Sequence, residues 1–501
     1  MRENRQQVTR QKRLGYDVGM STDQVQVFGN TISPKRVAQG VRLRERFARK
    51  YGYVEGLKYP LSASENPTVG PFIGVHNVVS RQGGAALDPE KGVLVGTIRM
   101  GYGHYRIAMA LASAVHSMGL IPYWFDLLGF DSPGARMIRD MDKWYSLGSR
   151  VSQKSRLFNR LLWDPLMGKW YKRLEKNYPV MAAAALFSDV YGEIPKDMPF
   201  LASHPFAAHG ALHAGLKRVV NVIPDNCPLG FHLSAGGIQT VQSPSAYFGF
   251  RTLKGMGGRS QTPHGVPAAQ LAMTGHYIDH ELAANAVLDC EARMTRIQAK
   301  APRRLLISVG GAGAQQGLIA AVLGELMPRL RDKSVTLFIN FGDHGRIYDA
   351  VMKAVPGARE LATHHTDWIE TAWFAERAAE DDLPGGLHTF LNNDIYAAVY
   401  TTNLLMRASD VLLTKPSELA YYPIPKLFLE RVGGHEAWGA IRASELGDGT
   451  QECGSIPITL QTLRLLIEED DLLSMLCDGI IKLDGMGVYH GAYRAVELAL
   501  D

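Results

Sequence analysis

Few cysteines, none at metal-ligand spacing, and no long apolar run characterise this 501-residue sequence. Cys227, Cys290, Cys453 and Cys477 lie far apart and form no CxxC pair. That argues against a disulfide framework or a zinc site and fits reduced residues of a cytosolic protein. No stretch reaches the ~18 uninterrupted apolar residues that a membrane-spanning helix needs. The N-terminal MRENRQQVTRQKRLGYDVGM carries charge but no apolar centre, so it does not read as a secretory signal. There is no HExxH pair, no full GxGxxG followed by an acidic residue, and no GxxxxGK loop. Zinc-peptidase, nicotinamide and P-loop chemistries are therefore poor readings.

What is present is an average globular mixture, 46% hydrophobic and 21% charged, with a net charge of +5. At ~150 residues per domain, two or three domains are expected. The charge is uneven. Residues 1–50 hold twelve Lys/Arg against four Asp/Glu, and residues 135–176 hold eleven against four. The second stretch also carries Trp144, Tyr145, Phe158, Trp163, Trp170 and Tyr171. A basic segment with interleaved aromatics can rest on an anionic membrane surface. It can equally be a solvated helix face whose aromatics point inward.

Two α/β halves are legible. In the first, the apolar run 91–98 reads as a buried parallel strand, followed by the turn Met100–His104, a helix from Tyr105 to Met118 and a strand 120–125 ending at Asp126. Long amphipathic helices are expected over 134–176, and short strands at 198–202, 219–223 and 239–242. In the second half, 303–309 repeats the strand pattern, followed by Gly310–Gly317, a helix from Leu318, a strand 335–340 and a later strand 411–414. Helices are expected over 459–476 and 490–500. The resulting boundaries are an N-terminal extension (1–90) with a helix at 36–50 and a strand at 71–80, a first Rossmann-like domain (91–285), a second (300–485) and a C-terminal helix (486–501) returning to the first domain. Residues 366–388 read as an insertion.

A glycine-rich turn between strand and helix lets backbone N–H groups approach an anion at the helix N-terminus. Two such turns in facing domains imply a ligand between them, although each turn alone can serve only strand–helix packing. His104 opens the first helix and can act as a base near neutral pH, or simply cap the helix. Asp225 follows a strand end, where open α/β sheets bind ligands, or forms a turn. Lys415 can offset diphosphate charge, and Glu418 can accept two ribose hydroxyls or stabilise a helix N-terminus. His209 and His213, one helical turn apart, and the His364–His365 pair are weak metal candidates.

These pieces, in their order, resemble GT-B glycosyltransferases of the monogalactosyldiacylglycerol synthase type, relatives of the bacterial enzyme that adds N-acetylglucosamine to the lipid-linked peptidoglycan precursor. The matching pieces run from residue 93 to residue 480. Gly101–His104 resembles the family's glycine-glycine-glycine-histidine turn, with Met100 and Tyr102 departing from it. Asp126–Leu128 resembles the acidic end of the next strand. Ser203–Pro205 is similar to its threonine-histidine-proline, Val222–Asp225 to its threonine-aspartate strand end, and Thr274–Gly275 to its interdomain threonine-glycine. Gly310–Ala314 resembles the glycine turn near the donor phosphates. Leu405–Pro416 resembles the run into the donor loop, and Ser417–Glu418 the serine-glutamate that holds the donor ribose. In one departure, Pro416 is followed directly by Ser417, where the family has a glycine-glycine-leucine-threonine-like stretch. Part of the phosphate cradle is thereby missing.

The resemblance implies an α/β protein of GT-B architecture, with two Rossmann-like domains facing across a cleft. It implies a UDP-sugar donor, no separate cofactor and no metal. Gly310, Gly311, Gly313 and Lys415 would face the diphosphate and Glu418 the ribose, with Ser417 beside it on the donor side. Phe390 is a candidate to stack on the donor base. His104 would be the general base, supported by Asp225, with Gly101, Gly103 and His204 on the acceptor side. The acceptor would be lipid or membrane-linked, and domain closure would exclude water. A catalytically silent GT-B-fold binding or scaffold protein stays open because of the short donor loop, as does a nucleotide-sugar epimerase. No nucleic-acid motif accompanies the basic charge, so no such partner is expected. The expected location is cytoplasmic, peripheral at the inner face of the membrane through 1–50 and 135–176.

Overall fold

The computed structural model describes residues 25–141, 143, 171–257, 263–310, 315–380, 383 and 385–501. Most of the basic aromatic stretch 135–176, together with residues 1–24, Gly311 and Gly313, lies outside the described residues. No described helix is long and apolar enough to cross a membrane.

A small hairpin, β1 (Gln26–Val27) and β2 (Asn30–Thr31), precedes the helix Pro34–Tyr51. The first sheet has eight strands: β3 (Leu61–Glu65), β4 (His76–Ser80), β5 (Gly92–Thr97), β6 (Ile121–Asp126), β7 (Phe200–Ala202), β8 (Val219–Val222), β9 (Ile238–Val241) and β10 (Leu271–Met273). Their order is β10-β9-β8-β7-β5-β6-β4-β3, parallel throughout except for the antiparallel β3–β4 pair. β5 is buried along its whole length, as an apolar strand covered on both faces must be. At Gly96 an added Cβ would stand 2.2 Å from the Phe200 ring, so only glycine lets β5 and β7 pack there.

The second sheet has seven strands: β11 (Arg303–Ser308), β12 (Val335–Gly342), β13 (Ala362–His365), β14 (Gly386–Leu391), β15 (Val411–Thr414), β16 (Lys426–Phe428) and β17 (Gly449–Glu452). All pair in parallel in the order β13-β14-β12-β11-β15-β16-β17. The connections leave β5 and β7 in opposite directions in the first sheet, and β11 and β15 in opposite directions in the second. Ligands of open α/β sheets bind at the carboxyl ends of strands at such points. The chain is thus an α/β protein of GT-B architecture.

Three regions differ from the sequence reading. Leu61–Glu65 and His76–Ser80, assigned to an extension, complete the first sheet; of the expected 71–80 strand, His76–Ser80 is a strand, while the short helix Gly70–Ile73 overlaps its start. Residues 366–388 are no insertion. They contain the helix Trp368–Glu380, which joins β13 to β14 as a regular crossover. The Lys415–Glu418 segment opens a single 3₁₀ turn, Glu418–Tyr421, and not an α-helix.

One core cluster spans both halves. Tyr105, Ile107, Leu111 and Trp124 of the first pack in the same cluster as Ala398, Val399 and Tyr400 of the second and Ala492, Ala495 and Val496 of the C-terminal helix. Arg106, fully buried, donates to the Val399 carbonyl (3.3 Å) and to the Asn403 side chain, which itself donates to Asp279 (2.9 Å). The Trp368 indole donates to the Thr68 carbonyl at 3.0 Å, and the Tyr396 hydroxyl to Asn77 at 3.2 Å. The two chain crossings between the halves bond to each other: His276 N–H reaches the Val488 carbonyl at 2.6 Å, and Gly491 N–H reaches the His276 carbonyl at 2.9 Å. Gly275, at φ +93°, has no room for a Cβ beside Val488. The halves are thus joined by buried contacts.

Candidate functional site

The carboxyl ends of β5, β7 and β8 deliver the first-domain candidates. After β5 the chain turns through Gly101, at φ +74°, and enters the helix Gly103–Ser117. His104 lies in its first turn. His104 Nδ1 is 2.7 Å from the Ser203 carbonyl, which can only accept, so Nδ1 carries the proton and Nε2 the lone pair. Ser203 is itself fixed. Its N–H bonds the Gly96 carbonyl (2.9 Å) and its hydroxyl the Thr97 hydroxyl (2.9 Å). Burial lowers the His104 pKa against the opposing effects of the Ser203 bond and the Asp225 and Glu418 charges. The ring is neutral at pH 7.

His204 is the helix cap that His104 is not. Its Nδ1 accepts the Phe206 N–H at 3.0 Å, so the neutral ring carries its proton on Nε2. The two imidazoles meet edge to face, 4.6 Å between centroids. Asp225, three residues beyond β8, is 3.3 Å from His232 Nε2. Burial alone would raise its carboxyl. The His232 bond and the neighbouring imidazoles of His435, His232 and His104 reverse this and hold it below the usual carboxylate range. The support expected of Asp225 for His104 is thus through space, since the hydrogen bond that orients His104 comes from Ser203.

The second-domain candidates follow β11 and β15. Gly310 starts the glycine turn; a Cβ there would stand 3.3 Å from Lys415 Cε. Lys415 is ion-paired to Glu436. The Ser417 N–H bonds the Lys415 carbonyl at 2.8 Å and its carbonyl accepts from Ala420, so its backbone is spent on the tight turn. Glu418 reaches the opposite domain: a Cβ on Gly103 would stand 3.0 Å from Glu418 Oε2. Asp225 and Glu418 thus flank His104 from different domains. Tyr102, which departs from the resembled turn, also crosses over. Its hydroxyl donates to the Asp343 carboxylate and accepts the Asp343 N–H at 3.0 Å, and Arg99 pairs with the same carboxylate.

Other candidates are engaged within the fold. His209 and His213 each bond a backbone carbonyl, of Leu233 and Met181, and burial pushes their pKa values down to about 3 and about 4. His365 lies between Glu370 (3.2 Å) and His388 (3.1 Å), and His364 between Thr389 (2.8 Å) and the Arg359 carbonyl (3.1 Å). Among the described residues no three His, Cys, Asp or Glu side chains converge as metal ligands. Phe390 is fully buried and stacked on His365 at 4.6 Å, so it cannot meet a donor base. Burial pushes the Cys227 thiol up to about 11, which leaves it protonated. Asp126 is engaged by the Tyr105 hydroxyl (2.6 Å) and the Leu128 N–H (2.9 Å). The sequence reading missed His232, His435, Glu436 and Asp343. Each meets its partner only through the fold, and no spacing signals them.

The fold and the cleft define a two-domain α/β protein of GT-B architecture with titratable groups at both switch points. A family model described as a domain of unknown function (DUF6937) matches residues 26–252, and another domain of unknown function (DUF6938) matches residues 266–500. No curated protein matches the chain. Among solved structures, a UDP-GlcNAc 2-epimerase from Neisseria meningitidis bound to UDP-GlcNAc is 12% identical, with a TM-score of 0.43 over 82% of this chain and 99% of that one. An α,α-trehalose 6-phosphate synthase from Burkholderia multivorans is 13% identical, with a TM-score of 0.37 over 65% of this chain and 76% of that one. The C-terminal CMP-Kdo binding domain of WaaA from Acinetobacter baumannii is 11% identical, with a TM-score of 0.26 over 40% of this chain and 98% of that one. The architecture stated above rests on this chain's own sheets.

Proposed function

We propose that this chain is an inverting, metal-independent glycosyltransferase that moves a sugar from a UDP-sugar to an acceptor hydroxyl. The observation that carries the reading is His104: a neutral imidazole, its tautomer fixed by Ser203, between Asp225 and Glu418 at the facing switch points. In the proposed step His104 Nε2 takes the proton of the acceptor hydroxyl as its oxygen attacks the anomeric carbon. The bond from that carbon to the donor diphosphate breaks, and UDP leaves with the electron pair. Glu418 accepts the ribose hydroxyls. The Gly310 turn and Lys415 face the diphosphate, where stabilising the departing charge is the main electrostatic task. The basic aromatic composition of 135–176 supports a lipid or membrane-linked acceptor. UDP release with a panel of UDP-sugars and lipid acceptors, on wild type and His104→Ala, tests the reading. Full activity without His104 contradicts it.

The silent binding protein remains the second reading, because the short 415–418 turn and the Lys415–Glu436 pair leave less donor-phosphate contact than the resemblance implies. Isothermal titration separates the two: no heat with UDP or any UDP-sugar, from folded protein, favours the second.

A further inference from the structure

The Lys415–Glu436 pair belongs to a larger constellation. Glu436 Oε1 is held by Lys415 Nζ, while Oε2 accepts the N–H groups of two successive residues, Val432 at 2.8 Å and Gly433 at 3.1 Å. One ammonium and two adjacent backbone N–H groups converging on a single buried carboxylate form a donor set of the kind that binds phosphate oxygens. Its position is as informative as its chemistry. Lys415 lies against Gly310 at the start of the second glycine turn. At the end of that turn the Gln315 side chain donates to the Glu430 carbonyl, two residues before Val432. The 430–433 loop therefore borders the glycine turn. It is anchored from behind by Glu452, which takes the Arg431 N–H (2.9 Å) and guanidinium (2.9 Å).

We propose that Lys415, Val432 and Gly433 form the phosphate cradle that the short 415–418 turn does not supply, and that Glu436 occupies it until a donor diphosphate displaces it. This rests on the nucleotide-sugar reading for its ligand and deepens it. The carboxylate is an internal stand-in for a phosphate oxygen. It keeps the partly exposed Lys415 ammonium and both N–H groups paired. A diphosphate brings more charge to the same donors.

Inorganic pyrophosphate is the probe, titrated by calorimetry into the full chain. Glu436→Gln keeps the side-chain shape and removes the competing charge, so it should tighten pyrophosphate binding by at least about tenfold. Lys415→Met should weaken it by a similar factor in either background. Glu436→Asp, whose shorter carboxylate cannot span all three donors, should also tighten it and serves if Glu436→Gln does not fold. Pyrophosphate binding no tighter in the Gln and Asp variants, or unaffected by Lys415→Met, overturns the proposal. Pyrophosphate binding that follows this pattern without turnover of any UDP-sugar refutes the transferase reading and leaves the cradle standing. Turnover with no response of pyrophosphate to Glu436→Gln does the reverse.

Discussion

His104 owes its proposed role to one backbone carbonyl. Ser203 fixes the proton on Nδ1, and burial keeps the ring neutral, so the Nε2 lone pair is present without help from Asp225. His104→Ala should lower turnover by about 10²–10⁴-fold while leaving UDP affinity within a factor of a few, measured by UDP release and calorimetry. The pH dependence has a defined sign. The base form is lost as pH falls through the His104 pKa, which burial sets below the ordinary 6.5. The acid limb of kcat/KM should therefore lie below pH 6.5, and a limb well above it would assign the base elsewhere. At Gly103, an added methyl meets the end of a flexible side chain, Glu418, and not backbone. Gly103→Ala should fold normally and weaken UDP binding, because the displaced carboxylate is the one assigned to the ribose. Unchanged UDP affinity would remove Glu418 from that role.

The helix Gly103–Ser117 carries both the candidate base and the join between domains. Arg106, one turn from the glycine turn, is buried among Val399, Asn403 and the neighbourhood of Asp279. Replacing it by Leu strands the Asn403 acceptor and removes the positive charge beside buried Asp279, and should cost on the order of 3 kcal/mol in denaturant unfolding. Elements of this kind were legible where burial imposes a pattern. β5 and β11 are apolar runs because both faces are covered, and the glycine turns and helices after them followed directly from that. Edge elements were not. β3 reads Leu-Ser-Ala-Ser-Glu and β13 Ala-Thr-His-His, with exposed residues in both, so neither shows an apolar run. Their absence from the sequence reading left β3 in an extension and turned the crossover helix after β13 into an insertion. The candidate site was half legible for a related reason. His104, Asp225, Lys415 and Glu418 each follow a recognisable strand. His232, His435 and Glu436 gain meaning only from partners brought near by folding. Phe390 was misread because an aromatic near a loop resembles a stacking platform until its strand is seen to be central to the second core.

Taken as one molecule, the chain has two sheets and a shared core between them. Because that core includes both domains and the C-terminal helix, calorimetry should record one cooperative unfolding transition, and two resolved transitions would contradict the joined arrangement. Buried neutral histidines give the stability a pH slope. Burial pushes His209 and His276 down to about 3 and His213 and His388 down to about 4, against 6.5 in the unfolded chain. Each therefore contributes stability that is full above pH 6.5 and is lost as the unfolded chain takes up protons below it. Asp189 and Asp279, raised to about 6, act in the opposite direction but are fewer and begin to titrate later on acidification. Tm should fall between pH 7.5 and pH 6, and a Tm that rises over that interval would contradict the assignment of these rings as neutral. The claim at the centre is that the cleft binds a nucleotide-sugar, with Glu418 on the ribose. Its most direct test is isothermal titration of UDP-glucose, UDP-galactose and UDP-N-acetylglucosamine into wild type and Glu418→Ala. Saturable binding of a UDP-sugar that Glu418→Ala weakens by at least about tenfold is the predicted result. Absence of binding by folded wild type, or binding that ignores Glu418, would contradict it.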